Sequence, residues 1–118
     1  MATFKVKLDI DQGSDFSKLM AWRTGEPLAA VDLTGCTARM HARSELADPT
    51  ILLDLTTENG GILLGGVTGT VEIVLAASET EAITWTEAVY DLEIVFPGGR
   101  VRRLLKGTIA VSQEVTRA

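Results

Sequence analysis

Three observations predict an all-β sandwich of seven or eight short strands. Apolar and polar residues alternate in several separate stretches. Turn residues return roughly every ten positions, and no stretch sustains the 3.6-residue apolar period of a helix. With 118 residues, 46% of them hydrophobic, the chain suits a single domain spanning 1–118 and can bury a real core without disulfides or metals. Aromatics make up only 5%, so Val, Ile, Leu and Ala must fill that core. A small barrel is the second architecture this pattern allows.

The elements follow in order. Residues 3–10 alternate strictly, with Phe4, Val6, Leu8 and Ile10 on one face and Lys5, Lys7 and Asp9 on the other. Residues 11–15 are a polar turn. Residues 16–22 predict a second strand of weaker pattern, with a short helix as the alternative. Residues 23–27 are a turn in which Pro27 opposes any helix. Residues 36–43 alternate again, Cys36, Ala38, Met40 and Ala42 inward and Thr37, Arg39, His41 and Arg43 outward. A loop over 44–50 precedes a strand at 51–55, a tight turn at Asn59-Gly60-Gly61, a brief strand at 62–64, a turn at 65–69 and a strand at 70–75. Ser78 followed by Glu81 has the spacing of a capping box and predicts one helical turn near 78–83.

The chain closes on two long strands joined at Pro97-Gly98-Gly99. A two-residue Gly98-Gly99 loop would pair Phe96 with Val101, Ile94 with Arg103, Leu92 with Leu105 and Tyr90 with Gly107. Asp91 would then face Lys106, and Glu93 would lie diagonal to Arg102 and Lys106. Gly107 would leave room for the Tyr90 ring. The same register sends Val101 and Arg103 to the inner face, where Arg103 must reach solvent over the rim or meet an acid.

The net charge of −5 argues against a nucleic-acid binder. Its distribution is uneven: +1 over 1–43, −10 over 44–99 and +4 over 100–118. Cross-strand ion pairs explain this segregation, and complementarity between subunits is the other explanation. No segment approaches the apolar length of a membrane helix, and residues 1–10 lack the apolar run of a signal peptide. The expectation is a soluble protein made in the cytosol.

Catalytic equipment is not visible in the sequence. His41 is the single histidine and has no ligand spacing around it. Cys36 reads as a buried small hydrophobe. The glycines at 65, 66 and 69 lack the Gly-Lys-Ser/Thr ending of a phosphate loop and precede a strand. Asp91 and Glu93 alternate outward beside basic partners, which reads as solvated ion pairs. No aromatic interleaves with Arg100, Arg102, Arg103 and Lys106, so base stacking is not expected there. The reading is a non-enzyme with no cofactor and no metal.

Several stretches resemble a family of small tailed-phage and prophage virion proteins. They are Gln12-Gly13-Ser14-Asp15-Phe16, Trp22, the run from Val31-Asp32-Leu33-Thr34-Gly35 to Met40, Leu55 to Ile62 with Asn59-Gly60-Gly61, Ala88 to Glu93, and Gly107-Thr108 to Arg117. More loosely they are similar to the N-terminal β-sandwich domain of siphophage upper baseplate proteins, in which Pro often stands where this chain has Ala30. The resemblance spans nearly the whole chain, in turn-and-strand motifs. It implies an immunoglobulin-like antiparallel sandwich in the tail or baseplate region of a virion, made in the host bacterial cytoplasm. The implied partners are other phage virion proteins and further copies of the chain, with no nucleic acid and no membrane. A carbohydrate- or host-surface-binding module, or a head–tail or capsid-associated protein, are the alternatives. Trp22, Arg39, Arg43, Trp85, Arg100, Arg102, Arg103 and Arg117 are the expected contact residues, because Trp and Arg anchor protein interfaces, with core or rim packing as the other reading of Trp22 and Trp85.

Overall fold

The structure is a computed structural model that describes residues 3–116. Two sheets face each other. The large sheet is built from β1 (Phe4–Lys5), β2 (Leu8–Asp11), β6 (Thr37–Arg43), β7 (Leu53–Thr56), β10 (Glu87–Val95) and β11 (Val101–Ser112), in the order β1-β11-β10-β6-β7, with β2 also pairing with β11. The small sheet has the order β3-β9-β8, from β3 (Phe16–Ala21), β9 (Thr70–Leu75) and β8 (Ile62–Leu64). A separate ribbon, β4 (Arg23–Thr24) with β5 (Ala29–Ala30), flanks the turn expected over 23–27, which contains a cis Glu26–Pro27 bond.

Alternation explains the layers. In β6, Ala38, Met40 and Ala42 are buried while Thr37 and Arg39 are exposed. In β10, Ala88, Tyr90, Leu92 and Ile94 are buried, and in β9 Val71, Ile73 and Leu75. These side chains form one core with Leu8, Ile10, Leu33, Leu105 and Ile109. Cross-strand apolar pairs such as Leu92 with Leu105 and Met40 with Leu55 are the units that hold each sheet.

The first strand departs from an all-antiparallel sandwich. Both β1 and β2 run parallel to β11, pairing Phe4 with Leu105 and Leu8 with Ile109. Alternation marks which face a residue takes but not the direction of its neighbour, so the sequence could not show this.

The closing hairpin keeps the expected register away from its turn: Leu92 with Leu105, Asp91 with Lys106, Tyr90 with Gly107. Near the turn the register differs. The connection is three residues long, Phe96 N–H donating to the Arg100 carbonyl at 2.8 Å and Gly99 N–H to the Phe96 carbonyl at 2.9 Å. Pro97 followed by Gly98 at φ 94° fits the central pair of a type II turn. The offset is absorbed by a bulge at Leu104, and both Leu104 and Leu105 are buried. The bulge reverses the alternation beyond it. Arg103 and Val101 therefore lie on the outer face, paired with Glu93 and Val95, and the half-buried Arg102 takes the core-side position beside Ile94.

The helical turn is α1 (Ala77–Glu81) with Ala76 as its N-cap, two residues earlier than the Ser78 cap predicts. Two other carboxylates hold its first amides: Glu79 Oε1 accepts Ala76 N–H at 3.1 Å, and Asp15 Oδ1 accepts Ala77 N–H at 2.7 Å. With Asp15 supplied by the turn after β2, a serine cap is unnecessary. A 3₁₀ turn, Gly66–Thr68, occupies the turn expected at 65–69.

Candidate interaction surface

The outer face of the large sheet carries side chains in cross-strand rows. One row crosses five strands in register: Lys5, Lys106, Asp91, His41 and Asp54. The next holds Arg103, Glu93 and Arg39. Arg39 Nε donates to Glu93 Oε1 at 2.8 Å, Arg103 lies 3.8 Å from Asp91, and His41 Nε2 lies 3.6 Å from Asp54. Sheet twist makes the face a shallow concavity of about 820 Å³, with Lys5, Lys7, Arg43, Arg103 and Lys106 around Asp91 and Glu93. The acids lie toward the middle of the sheet. The cations outnumber them at the β1–β11 end.

At the rim stands the loop over 44–50. Arg43 Nη1 donates to the carbonyls of Asp48 and Pro49 at 3.2 and 2.7 Å. The Ser44 hydroxyl, and then the Thr50 N–H, hold the Asp48 carboxyl below its usual range. This braced loop projects Leu46, 90% exposed, over the edge of the concavity.

The opposite outer face, on the small sheet, differs in chemistry. Leu19, Glu72 and Leu63 form one cross-strand row, with the leucines 62% and 49% exposed. Ser17 and Val74, and Ala21 and Thr70, lie on the same face on either side of that row. Among the described residues, the outward positions of its strands hold one carboxylate, Glu72, and no Lys or Arg.

The expected contact residues separate into groups. Arg39, Arg43 and Arg103 share the outer face of the large sheet, where Arg43 and Arg103 line the concavity and Arg39 pairs with Glu93. Arg100 sits at the hairpin turn, its guanidinium 4.8 Å from the centre of the Phe96 ring. Trp85 is half-buried and packs against the core. Trp22 is a correction: it is 2% exposed, with its ring centroid 6.1 Å from that of Phe96, because β3 delivers it between the sheets. Arg117 lies outside the described residues. Lys5, Lys7 and Lys106 were missing from the expected set. Their outward alternation was visible, but not that the first strand lies beside the last.

The remaining chemistry is quiet. Burial, and then the charge of Asp32, push the Cys36 thiol up, away from a nucleophilic thiolate. Among the described residues no group of three or more His, Cys, Asp or Glu side chains could hold a metal ion, and no helix is long and apolar enough to cross a membrane.

The turn motifs prove architectural. Gln12 Nε2 donates to the Ile83 carbonyl and its Oε1 accepts from Glu114 N–H, both at 2.9 Å, joining the end of the α1 segment to the chain beyond β11. Asp32 Oδ1 accepts from the Thr34 hydroxyl at 2.6 Å and its N–H at 3.0 Å, and those bonds hold its carboxyl below the usual range. Asn59 Oδ1 accepts from Thr56 and Gly61 N–H at 2.9 and 3.0 Å, closing the turn between β7 and β8.

No family model matches the chain, and no curated protein is similar to it at a significant level. Solved structures are. A chicken TCR superposes with a TM-score of 0.54 at 10% identity, over 97% of this chain and 57% of that one. Extracellular domains 3–5 of Drosophila OTK superpose with a TM-score of 0.37 at 13% identity, over 89% of this chain and 32% of that one. The chain thus spans little more than half the length of the TCR chain it matches. The first likeness establishes the fold: an immunoglobulin-like β-sandwich.

Proposed function

We propose that the chain is a non-enzymatic structural component of a tailed-phage particle, in the tail or baseplate region, that works by docking onto other virion proteins and onto its own copies. The observation that carries the docking part is the outer face of the large sheet, whose charged rows line a broad shallow concavity instead of a closed cleft. Such a face suits a protein surface of complementary charge. The virion part is supported by the resemblance of the turn-and-strand motifs, whose side chains here build turns.

Carbohydrate or host-surface binding is the weaker reading. It needs exposed aromatic faces over a cleft. Trp22 is buried, Trp85 packs against the core, and Tyr90 spends its hydroxyl on the Val6 carbonyl. A head–tail or capsid position is open to the same test as the tail. The test is sedimentation of the purified chain, with pull-down against tail, baseplate and head proteins of a phage that encodes it. Binding to tail or baseplate proteins is expected. A monomer that binds none of them sinks the proposal, and binding to head proteins alone moves the chain to the head.

A further inference from the structure

We infer that copies of this chain stack head to tail, the lysine-rich end of the large sheet's outer face on one copy receiving the Leu19–Glu72–Leu63 face of the small sheet on the next. This rests on the self-association part of the reading above but not on the phage assignment.

The lysine end is only partly compensated within the chain: Lys106 lies in register with Asp91, but among the described residues no ion pair joins them. Lys5 and Lys106 are register partners on adjacent parallel strands, so their ammonium groups stand side by side on one face. Like charges directly opposite each other are destabilising. Among the described residues neither has an ion-pair partner, and the nearest acid in the row, Asp91, is paired with Arg103. An anion from outside would offset the repulsion.

The other outer face carries the complement. Among the described residues Glu72 has no ion-pair partner and sits between two exposed leucines, and no cation lies on the outward face of its strands. A carboxylate framed by apolar side chains gains from a cation brought against it as the surrounding water leaves. Apolar contact is matched too, because Leu46 stands at the rim of the concavity, ready to meet Leu19 or Leu63. A second copy thus supplies both the charge and the apolar contact, which an acidic segment of some other protein would have to supply anew. The two faces belong to opposite sheets of one sandwich, so the contact is heterologous and builds rings or open stacks instead of a closed two-fold dimer.

Sedimentation velocity across a concentration series tests this with two variants at outward-facing positions. Lys5→Glu with Lys106→Glu reverses one face, and Glu72→Lys reverses the other. Thermal melts confirm that both fold. The wild type is expected to self-associate beyond a dimer as concentration rises. Each variant alone should associate about tenfold or more weakly, as the loss of a close interfacial charge pair implies. Mixed in equal amounts, the two should regain assembly, since every contact then joins opposite charges. A wild type that stays monomeric, a variant that assembles as the wild type does, or a mixture that fails to recover would overturn the inference. The outcomes also separate it from the particle assignment. Self-association without binding to virion proteins keeps this inference and refutes that one, and capture of virion proteins by a strictly monomeric chain does the reverse.

Discussion

The Tyr90 hydroxyl donates a 2.6 Å hydrogen bond to the Val6 carbonyl, across the gap where the first edge strand breaks between β1 and β2. Val6 N–H in turn donates to the Lys106 carbonyl at 3.0 Å. One phenol thus ties the N-terminal strand to the central strand of the sheet. Tyr90→Phe should cost about 1–2 kcal/mol in urea unfolding, because the Val6 carbonyl loses its side-chain donor.

The same phenol gives a pH signature. Burial pushes the Tyr90 hydroxyl up to about 12, against an ordinary tyrosine value near 10. Its folded-state value is the higher one, so the unfolded chain gives up this proton first as pH rises. The contribution is intact below about pH 10 and is lost as pH climbs toward 12. The wild type should therefore lose stability relative to Tyr90→Phe over that window. Parallel denaturation curves for the two proteins across it would refute the assignment.

Gly107 makes the contact possible. A Cβ built there would lie 2.3 Å from the Val6 carbonyl oxygen and 3.4 Å from Tyr90 Cε1. The first of these is backbone and cannot swing away. Gly107→Ala should cost about 2–3 kcal/mol, as overpacking in a core does. Tyr90→Phe in the same chain should not rescue it, since the clash is with Val6 and not with the hydroxyl. Rescue in a double-mutant cycle of urea melts would show that the hydroxyl's hold on the Val6 carbonyl sets the constraint.

How much of this was legible follows from particular residues. The Tyr90–Gly107 pairing and the Asp91–Lys106 pairing were readable, because apolar alternation and opposite charge agree on one register over the long part of the hairpin. The bulge was not, although its trace is in the sequence: Leu104 and Leu105 are adjacent, both must be buried, and a regular strand cannot bury neighbours on one face. Regular alternation therefore points Arg103 inward, whereas it pairs outward with Glu93 and reaches Asp91. The concave face was half legible. Arg39 and Arg43 could be found by their alternation. Lys5 could not be set beside Lys106, because period-two patterning carries no information on which strands become neighbours. Trp22 defeated the rule that Trp anchors interfaces, since nothing local distinguishes an outward aromatic at a strand end from an inward one.

Trp22 offers a test of its own. Its indole N–H is buried and has no acceptor among the described residues, while its backbone is held by Gly69 and Val31 at 2.8 and 2.9 Å. Trp22→Phe keeps a ring against Phe96 and removes an unsatisfied donor, so the area lost is partly offset. The expected cost is about 1 kcal/mol, against about 3–5 kcal/mol for Trp22→Ala, which leaves a cavity. A Trp22→Phe cost well above about 1 kcal/mol in urea melts would show that the indole N–H is satisfied.

The fully buried Thr80 tests how α1 is fastened to the sandwich. Its hydroxyl accepts from Gly13 N–H at 3.0 Å and lies within donating distance of the Ser14 carbonyl at 2.8 Å and the Ala77 carbonyl at 3.1 Å. One side chain therefore serves both the turn after β2 and the helical turn, beside the Asp15 cap. Thr80→Val keeps the shape but strands the Gly13 donor and the Ser14 acceptor, and should cost about 2–3 kcal/mol. Thr80→Ser keeps the hydroxyl and loses one buried methyl, at about 1 kcal/mol. Hydrogen exchange should localise the damage, with the amides of Gly13, Ala76 and Ala77 losing protection in Thr80→Val before those of β10 and β11. A valine variant as stable as the serine variant would show that packing, not the hydroxyl, holds this corner.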